Sequence, residues 1–309
     1  MKKSILFLLL LCLLLPACSM EQPTVSDNGI TFTDALGREV TVDHPQRVAA
    51  LLGSFADVWC LSGGTLCASA EDGWEDFGLP LEDAVNIGGA HSPNLELLLA
   101  ANPDFVLASA STASHLAMQD TLEALGIPVA YFDVDHFQDY LHMLDICTDI
   151  TGRKDLYLQN GLQIQAQIQA VKERYAAGNV PEAQRKVLLI RAAVSVIKAK
   201  GSTGTILGEM LSDMGCINIA DSDRTLLEDL SVEAVIQQQP YHIFVVTMGS
   251  DPAAVQASME AMLQSHPAWS TLDAVRCGRV HYMDKTLFNL KPNDNWARSY
   301  EILYETLTK

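Results

Sequence analysis

Three shortages bound the reading of this 309-residue chain. Apolar runs are short: the stretch Ile5–Leu15 spans eleven residues, where a helix needs roughly 20 apolar residues to cross a bilayer. Basic residues are few, with 20 Lys and Arg against 38 Asp and Glu and a formal charge of −18. Such a balance argues against nucleic-acid binding and against electrostatic adhesion to anionic lipid. It suits plain solubility or attraction to a cationic partner surface. Cysteines number seven, with no CxxC pair among them, which argues against a structural zinc site. The eight histidines are scattered, so neither a resident metal nor a cofactor of the protein's own is expected.

Enzyme motifs are missing as well. There is no GxSxG, no HExxH and no carboxylate pair singled out by its spacing, so no enzyme is expected. KGSTGT, residues 200–205, lacks the order of a phosphate loop. It reads as a polar turn ahead of a helix starting at Ile206.

What is present begins with a leader. Lys2-Lys3 precedes the apolar Ile5–Leu15, the layout of a secretory signal peptide over residues 1–17. Its end, Leu15-Pro16-Ala17-Cys18, resembles the lipobox of bacterial lipoproteins, with Pro16 departing from the usual residue. The resemblance implies cleavage before Cys18, lipid on Cys18, and a protein outside the cytoplasmic membrane that is anchored to it without spanning it. An ordinary secretory signal with an incidental cysteine is the alternative. Residues 18–29 then form a polar, turn-rich tether. Cys12 leaves with the leader, and Cys60, Cys67, Cys147, Cys216 and Cys277 remain. An odd, widely spaced set is no disulfide framework. Cys60 and Cys67 flank Gly63-Gly64 and could pair; buried free thiols are the other reading.

The stretch organising the rest is AVNIGGAHSPNLELLLAANPDFVLAS, residues 84–109. The glycine turn Gly88-Gly89 leads to a polar tip, His91-Ser92. Asn94 is a good helix N-cap, because its side-chain oxygen accepts a free amide proton of the first turn. Glu96 falls in that turn, where the helix end favours a carboxylate. Asn102-Pro103-Asp104 breaks the helix and launches the strand Phe105–Ala108. The arrangement recurs in LEDLSVEAVIQQQPYHIFVV, residues 227–246, with Ser231 as cap, Glu233 as first-turn acid and Gln239-Pro240 as breaker.

This motif pair resembles the substrate-binding proteins of ABC importers for iron–siderophore complexes, haem and cobalamin. DALGREVTV with PQRVAAL near the start and HPAWSTLDAVRCGRVHYMD near the end extend the resemblance over most of the chain. It implies an α/β fold of two Rossmann-like lobes with parallel-rich sheets, joined by one long rigid helix, with ligand held between the lobes. It also implies a monomer that docks on a permease and its ATPase subunits. One acid per lobe then pairs with permease arginines, here Glu96 and Glu233.

Read from the residues, strands and helices alternate, as in a parallel sheet covered on both faces. Residues 30–152 form one such series, opened by a hairpin turning at Asp34–Arg38. Strands are expected at Val48–Leu52, Leu66–Ala70 and Pro128–Phe132, with helices at Phe55–Leu61, Leu116–Leu125 and Phe137–Thr148. Residues 153–178 repeat Leu156, Leu162, Ile164, Ile168, Val171 and Tyr175 near helical spacing, a helix of roughly 35 Å. Residues 179–309 hold a second series, with a helix at Pro252–Gln264, a strand at Arg279–Tyr282 and a last helix at Asn295–Leu307. Trp269 is read as core packing.

Ligands of such sheets collect at loops after the carboxyl ends of strands. That location nominates His91 as a contact to a metal complex and Ser111 as a polar contact. Trp74, Phe288 and Phe55 are nominated as flat apolar walls, and Arg191 and Arg224 as bidentate partners for ligand carboxylates. Core packing and surface salt bridges are the competing roles for these residues. For Glu96 and Glu233 the competing role is helix-end stabilisation, about 0.3–1 kcal/mol each; recurrence in both lobes favours docking. The expected cargo is a ferric complex, either siderophore or haem, with a corrinoid such as cobalamin as the alternative. An extracytoplasmic enzyme on the same fold and a lipoprotein scaffold are the class-distinct alternatives.

Overall fold

Apolar strands bounded by glycine and Asx turns, most of them followed by a helix, build two α/β lobes. The computed structural model describes residues 24–26 and 29–309, except Asp229 and Ser250. The leader and Cys18 lie outside the described residues.

The first lobe opens with an antiparallel three-stranded sheet of β1 (Thr24–Ser26), β2 (Gly29–Thr33) and β3 (Glu39–Val42). Part of the expected tether is therefore ordered, since Thr24–Ser26 pair along the edge of β2. The hairpin turn is fixed by the buried Asp34, which accepts backbone N–H bonds from Leu36 and Arg38 at 3.0 Å each and a 2.6 Å ion pair from Arg38. The lobe's main sheet comprises β4 (Val48–Ala50), β5 (Leu66–Ser69), β6 (Val85–Asn86), β7 (Phe105–Ser109) and β8 (Val129–Phe132). Its order is β6-β5-β4-β7-β8 and every pairing is parallel. All five residues of β7 are buried, which is why it reads as an unbroken apolar run: both faces carry helices.

The expected helix Leu116–Leu125 is two shorter ones, Ala113–Leu116 and Gln119–Ala124. Helix Phe137–Thr151 then leads into the linker. The linker runs from Lys154 to Ala177 as α-helix with one π-helical turn at Leu158–Leu162. Gly161 lies in that turn, where an added Cβ would meet the Leu141 side chain at 2.7 Å; the glycine lets the linker press onto helix Phe137–Thr151. Gly178 caps the linker helix, and positive φ falls on the next residue, Asn179, at 48°.

The second lobe holds β9 (Lys186–Ala192), β10 (Ile197–Lys200), β11 (Ile217–Asn218), β12 (His242–Thr247) and β13 (Val280–Met283). β12 lies between β9 and β13, all parallel, while β10 turns back antiparallel along β9. Trp269 is 3 % exposed and packs in this lobe's core. The final helix Trp296–Leu307 crosses back onto the linker, and one continuous apolar core joins Phe132 and Phe137 of the first lobe to Leu189, Phe244 and Trp296. A shared core of this kind opposes large hinge motion. Cys60 and Cys67 carry free thiols; Cys147 is buried, Cys60, Cys67 and Cys216 are half-buried, and Cys277 is exposed.

Candidate functional site

Both main sheets present the carboxyl ends of their parallel strands to the space between the lobes, the position where open α/β sheets gather ligands. Contacts bridge that space. Asp76, after β5, pairs with Lys285, after β13, at 2.7 Å. Asp135, after β8, lies 4.0 Å from Lys291. His136 donates to the Asp139 carboxylate through Nδ1 at 2.9 Å and reaches Glu209 of the second lobe through Nε2 at 3.2 Å. Partial burial opposes charge on His136, but Asp139 and Glu209 outweigh it and hold its pKa above the ordinary value. At the β5 side the cleft widens into a cavity of about 680 Å³, lined by Glu75 and Asp76 from one lobe and Thr247, Gln256, Tyr282 and Lys285 from the other.

The loop bearing His91 is positioned by a residue that the sequence did not single out. His115 is fully buried; its Nδ1 accepts the Ser109 N–H at 3.1 Å, so Nε2 carries the proton and donates to the Ala90 carbonyl at 2.7 Å. Burial pushes the His115 pKa down, keeping the ring neutral with both nitrogens bonded. His115 thereby ties the end of β7 to the loop at 88–91. His91 itself is exposed on that loop. Nearby Ser111 is exposed beside Ser109, with their Oγ atoms 3.0 Å apart, and it hydrogen-bonds Asp133 after β8. Trp74 is half-buried in the short helix Asp72–Glu75 that follows β5.

Two nominated walls are not walls. Phe55 is 1 % exposed, because the helix Gly53–Leu61 begins two residues before it and turns its ring into the core, edge-on to Phe132 at 6.2 Å. Phe288 is 2 % exposed and belongs to the core joining the lobes, with Arg191 and Lys200 lining the same small pocket beside it. Arg224 begins the exposed helix Arg224–Glu228, which packs on β10. Arg191, by contrast, sits near the carboxyl end of β9, half-buried. Burial lowers its pKa and the Asp135 charge offsets part of that. Lys200 of β10 is lowered by burial, then by Arg191 and Lys198. Lys198 and Lys200 were missed; their i, i+2 spacing in IKAK was the available signal for a shared strand face.

The two acid motifs fold alike. Asn94 accepts the Leu97 N–H at 3.1 Å and caps the helix Leu95–Ala100; Ser231 accepts the Ala234 N–H at 3.3 Å and caps Val232–Gln238. Asn102 and Gln239 end these helices with positive φ, 49° and 48°. Each helix feeds a buried parallel strand, β7 or β12, so its N-terminus stands on the cleft side of its lobe. Glu96 and Glu233 are both exposed there, and Leu97 beside Glu96 is a 42 %-exposed apolar neighbour.

A periplasmic binding protein family model matches residues 57–287. The chain belongs to that family. Among curated relatives, YhfQ of Bacillus subtilis (strain 168) is 22 % identical over 97 % of this chain and 96 % of its own length; its name assigns it, without establishing it, the role of an ABC transporter substrate-binding lipoprotein. The Fe(3+)-citrate-binding protein YfmC of the same organism is 23 % identical over 94 % of this chain and 89 % of its own. Among solved structures, Staphylococcus aureus SirA complexed with staphyloferrin B superposes with a TM-score of 0.70 at 21 % identity, covering 90 % of this chain and 98 % of that one. The two-lobe α/β architecture is thus shared with SirA.

Proposed function

We propose that this chain is the solute-binding component of an ABC import system. It takes up an iron complex, a siderophore or haem, between its lobes and hands it to the permease and its ATPase subunits. Family membership across both lobes carries this reading, and the iron assignment draws support from YfmC, named for ferric citrate. The protein acts as a monomer outside the cytoplasmic membrane, held by lipid on Cys18. The lipoprotein name of YhfQ supports that placement, and among the described residues no helix is long and apolar enough to cross a membrane.

Docking is assigned to Glu96 and Glu233. Support comes from the equivalence of their surroundings: a capped short helix, a first-turn acid left exposed, and a following buried strand, once per lobe. Neither acid is consumed by an ion pair with a cation among the described residues, which leaves both for arginines of a partner. The double variant Glu96→Ala/Glu233→Ala tests this. Uptake of radiolabelled iron by cells should be abolished while the purified protein keeps its ligand affinity. An equal fall in affinity would assign the acids to the ligand site and overturn the docking role.

A further inference from the structure

The charge of the chain is strongly negative, yet three cations gather on one patch of the cleft. In the antiparallel pairing of β9 and β10, Lys198 stands opposite Arg191 and Lys200 opposite Leu189. Cross-strand partners share a sheet face, as do residues two apart along a strand. Arg191, Lys198 and Lys200 therefore project from the same face, beyond the buried Val187 and Leu189, where β9 reaches the cleft. Burial lowers the Lys200 pKa and the charges of Arg191 and Lys198 lower it further, so both cations repel Lys200. Mutual repulsion with partial burial costs stability unless an anion relieves it.

The protein supplies little such relief. The acids at this end of the cleft are already engaged: Asp135 stands by Lys291, and Asp139 and Glu209 hold His136. Asp135 is the acid whose charge reaches Arg191. Neither Arg191, Lys198 nor Lys200 has a carboxylate within ion-pair distance among the described residues. Flat apolar walls, the other device for holding a metal complex, are scarce, because Phe55 and Phe288 are turned into the core.

Building on the import role above, we infer that Arg191, Lys198 and Lys200 form an anion subsite that selects a ferric complex of a polycarboxylate ligand over an apolar plate or a corrinoid. The Arg191 guanidinium offers a planar fork to one carboxylate, and the two ammonium groups act as point charges for others. Lys198 is exposed and Lys200 half-buried, so the patch grades from solvent into the pocket beside Phe288 and Thr205. An anion arriving there replaces water around Arg191 and Lys200, which burial already strips in part, and this strengthens both contacts.

The test uses the soluble protein from Ser19 onward and three probes: ferric citrate in excess citrate, haem and cyanocobalamin. Tryptophan fluorescence and calorimetry give each affinity at low and at raised salt. Ferric citrate should bind saturably, weaken on raising salt, and lose about a hundredfold or more in Arg191→Gln/Lys200→Gln, as expected when two charge-assisted contacts go. Arg191→Lys should fall between, because it keeps the charge and loses the fork; the melting temperature of each ligand-free variant checks that it is folded. Haem or cyanocobalamin binding that ignores both salt and the double substitution, with no ferric citrate binding, would overturn the inference and leave the import role standing. Ferric citrate binding unaltered in the double variant would also overturn it. Absence of binding by all three would overturn the inference and leave the import role to the test with other ferric siderophores.

Discussion

Asp57 sits where the chain returns from the second lobe to the first. Its Oδ2 accepts a 2.7 Å hydrogen bond from Asn293 Nδ2, which also donates to the Ser54 carbonyl at 2.9 Å. Burial raises the Asp57 pKa from 3.8 to about 6, with the Asn293 bond opposing and the nearby Asp294 adding. A shift of that size is worth about 3 kcal/mol. The folded pKa lies above the unfolded one, so the folded state takes up the proton more readily. Stability linked to this group is complete below about pH 4 and is lost as pH rises through about 6. Asp57→Asn removes the buried charge, keeps an oxygen to accept from Asn293, and offers an N–H₂ to Asn293 Oδ1, which is buried and without a partner among the described residues. Urea unfolding at pH 7.5 should therefore show the variant more stable by up to about 3 kcal/mol, with little difference at pH 4. A variant less stable at pH 7.5, or a gain equal at both pH values, would refute the burial argument.

Replacing His115 by leucine leaves the Ser109 N–H and the Ala90 carbonyl without partners in a buried place, at a cost of about 1–3 kcal/mol. Amide exchange should then quicken selectively through the loop at 88–92. Gly64→Ala places a Cβ 2.2 Å from the Trp59 ring, a residue 3 % exposed whose Nε1 donates to the Thr65 carbonyl. The ring cannot withdraw without breaking that bond, so denaturant unfolding should show a loss of about 1–3 kcal/mol.

What the sequence disclosed was mostly local. Asn94 with Glu96, and Ser231 with Glu233, are legible because a cap, a first-turn acid and an Asx or Gln-Pro breaker act within a few residues of one another. The buried strands β7 and β12 are legible for a similar reason, since a sheet covered on both faces demands an unbroken apolar run. Side-chain direction was not legible. Phe55 follows a strand and so looked like a cleft residue, but a helix starting at Gly53 rather than at Phe55 itself rotates the ring inward. His115 was not singled out, because its partners Ser109 and Ala90 are set by tertiary packing. Lys198 and Lys200 were hidden by β10, whose antiparallel return along β9 is a departure from the expected strand–helix order. The ordered Thr24–Ser26 strand shows the same limit: its pairing with β2 depends on an edge that exists only once the hairpin has formed.

The most direct test of the central claim is thermal unfolding of the soluble protein with ferric citrate, ferric siderophores, haem and cobalamin, each at about a hundredfold excess over its dissociation constant. A ligand that binds only the folded state adds about 2.7 kcal/mol under that condition. The account predicts a melting temperature raised by several degrees with an iron complex and not with cobalamin. A melting temperature unmoved by every iron complex would contradict it.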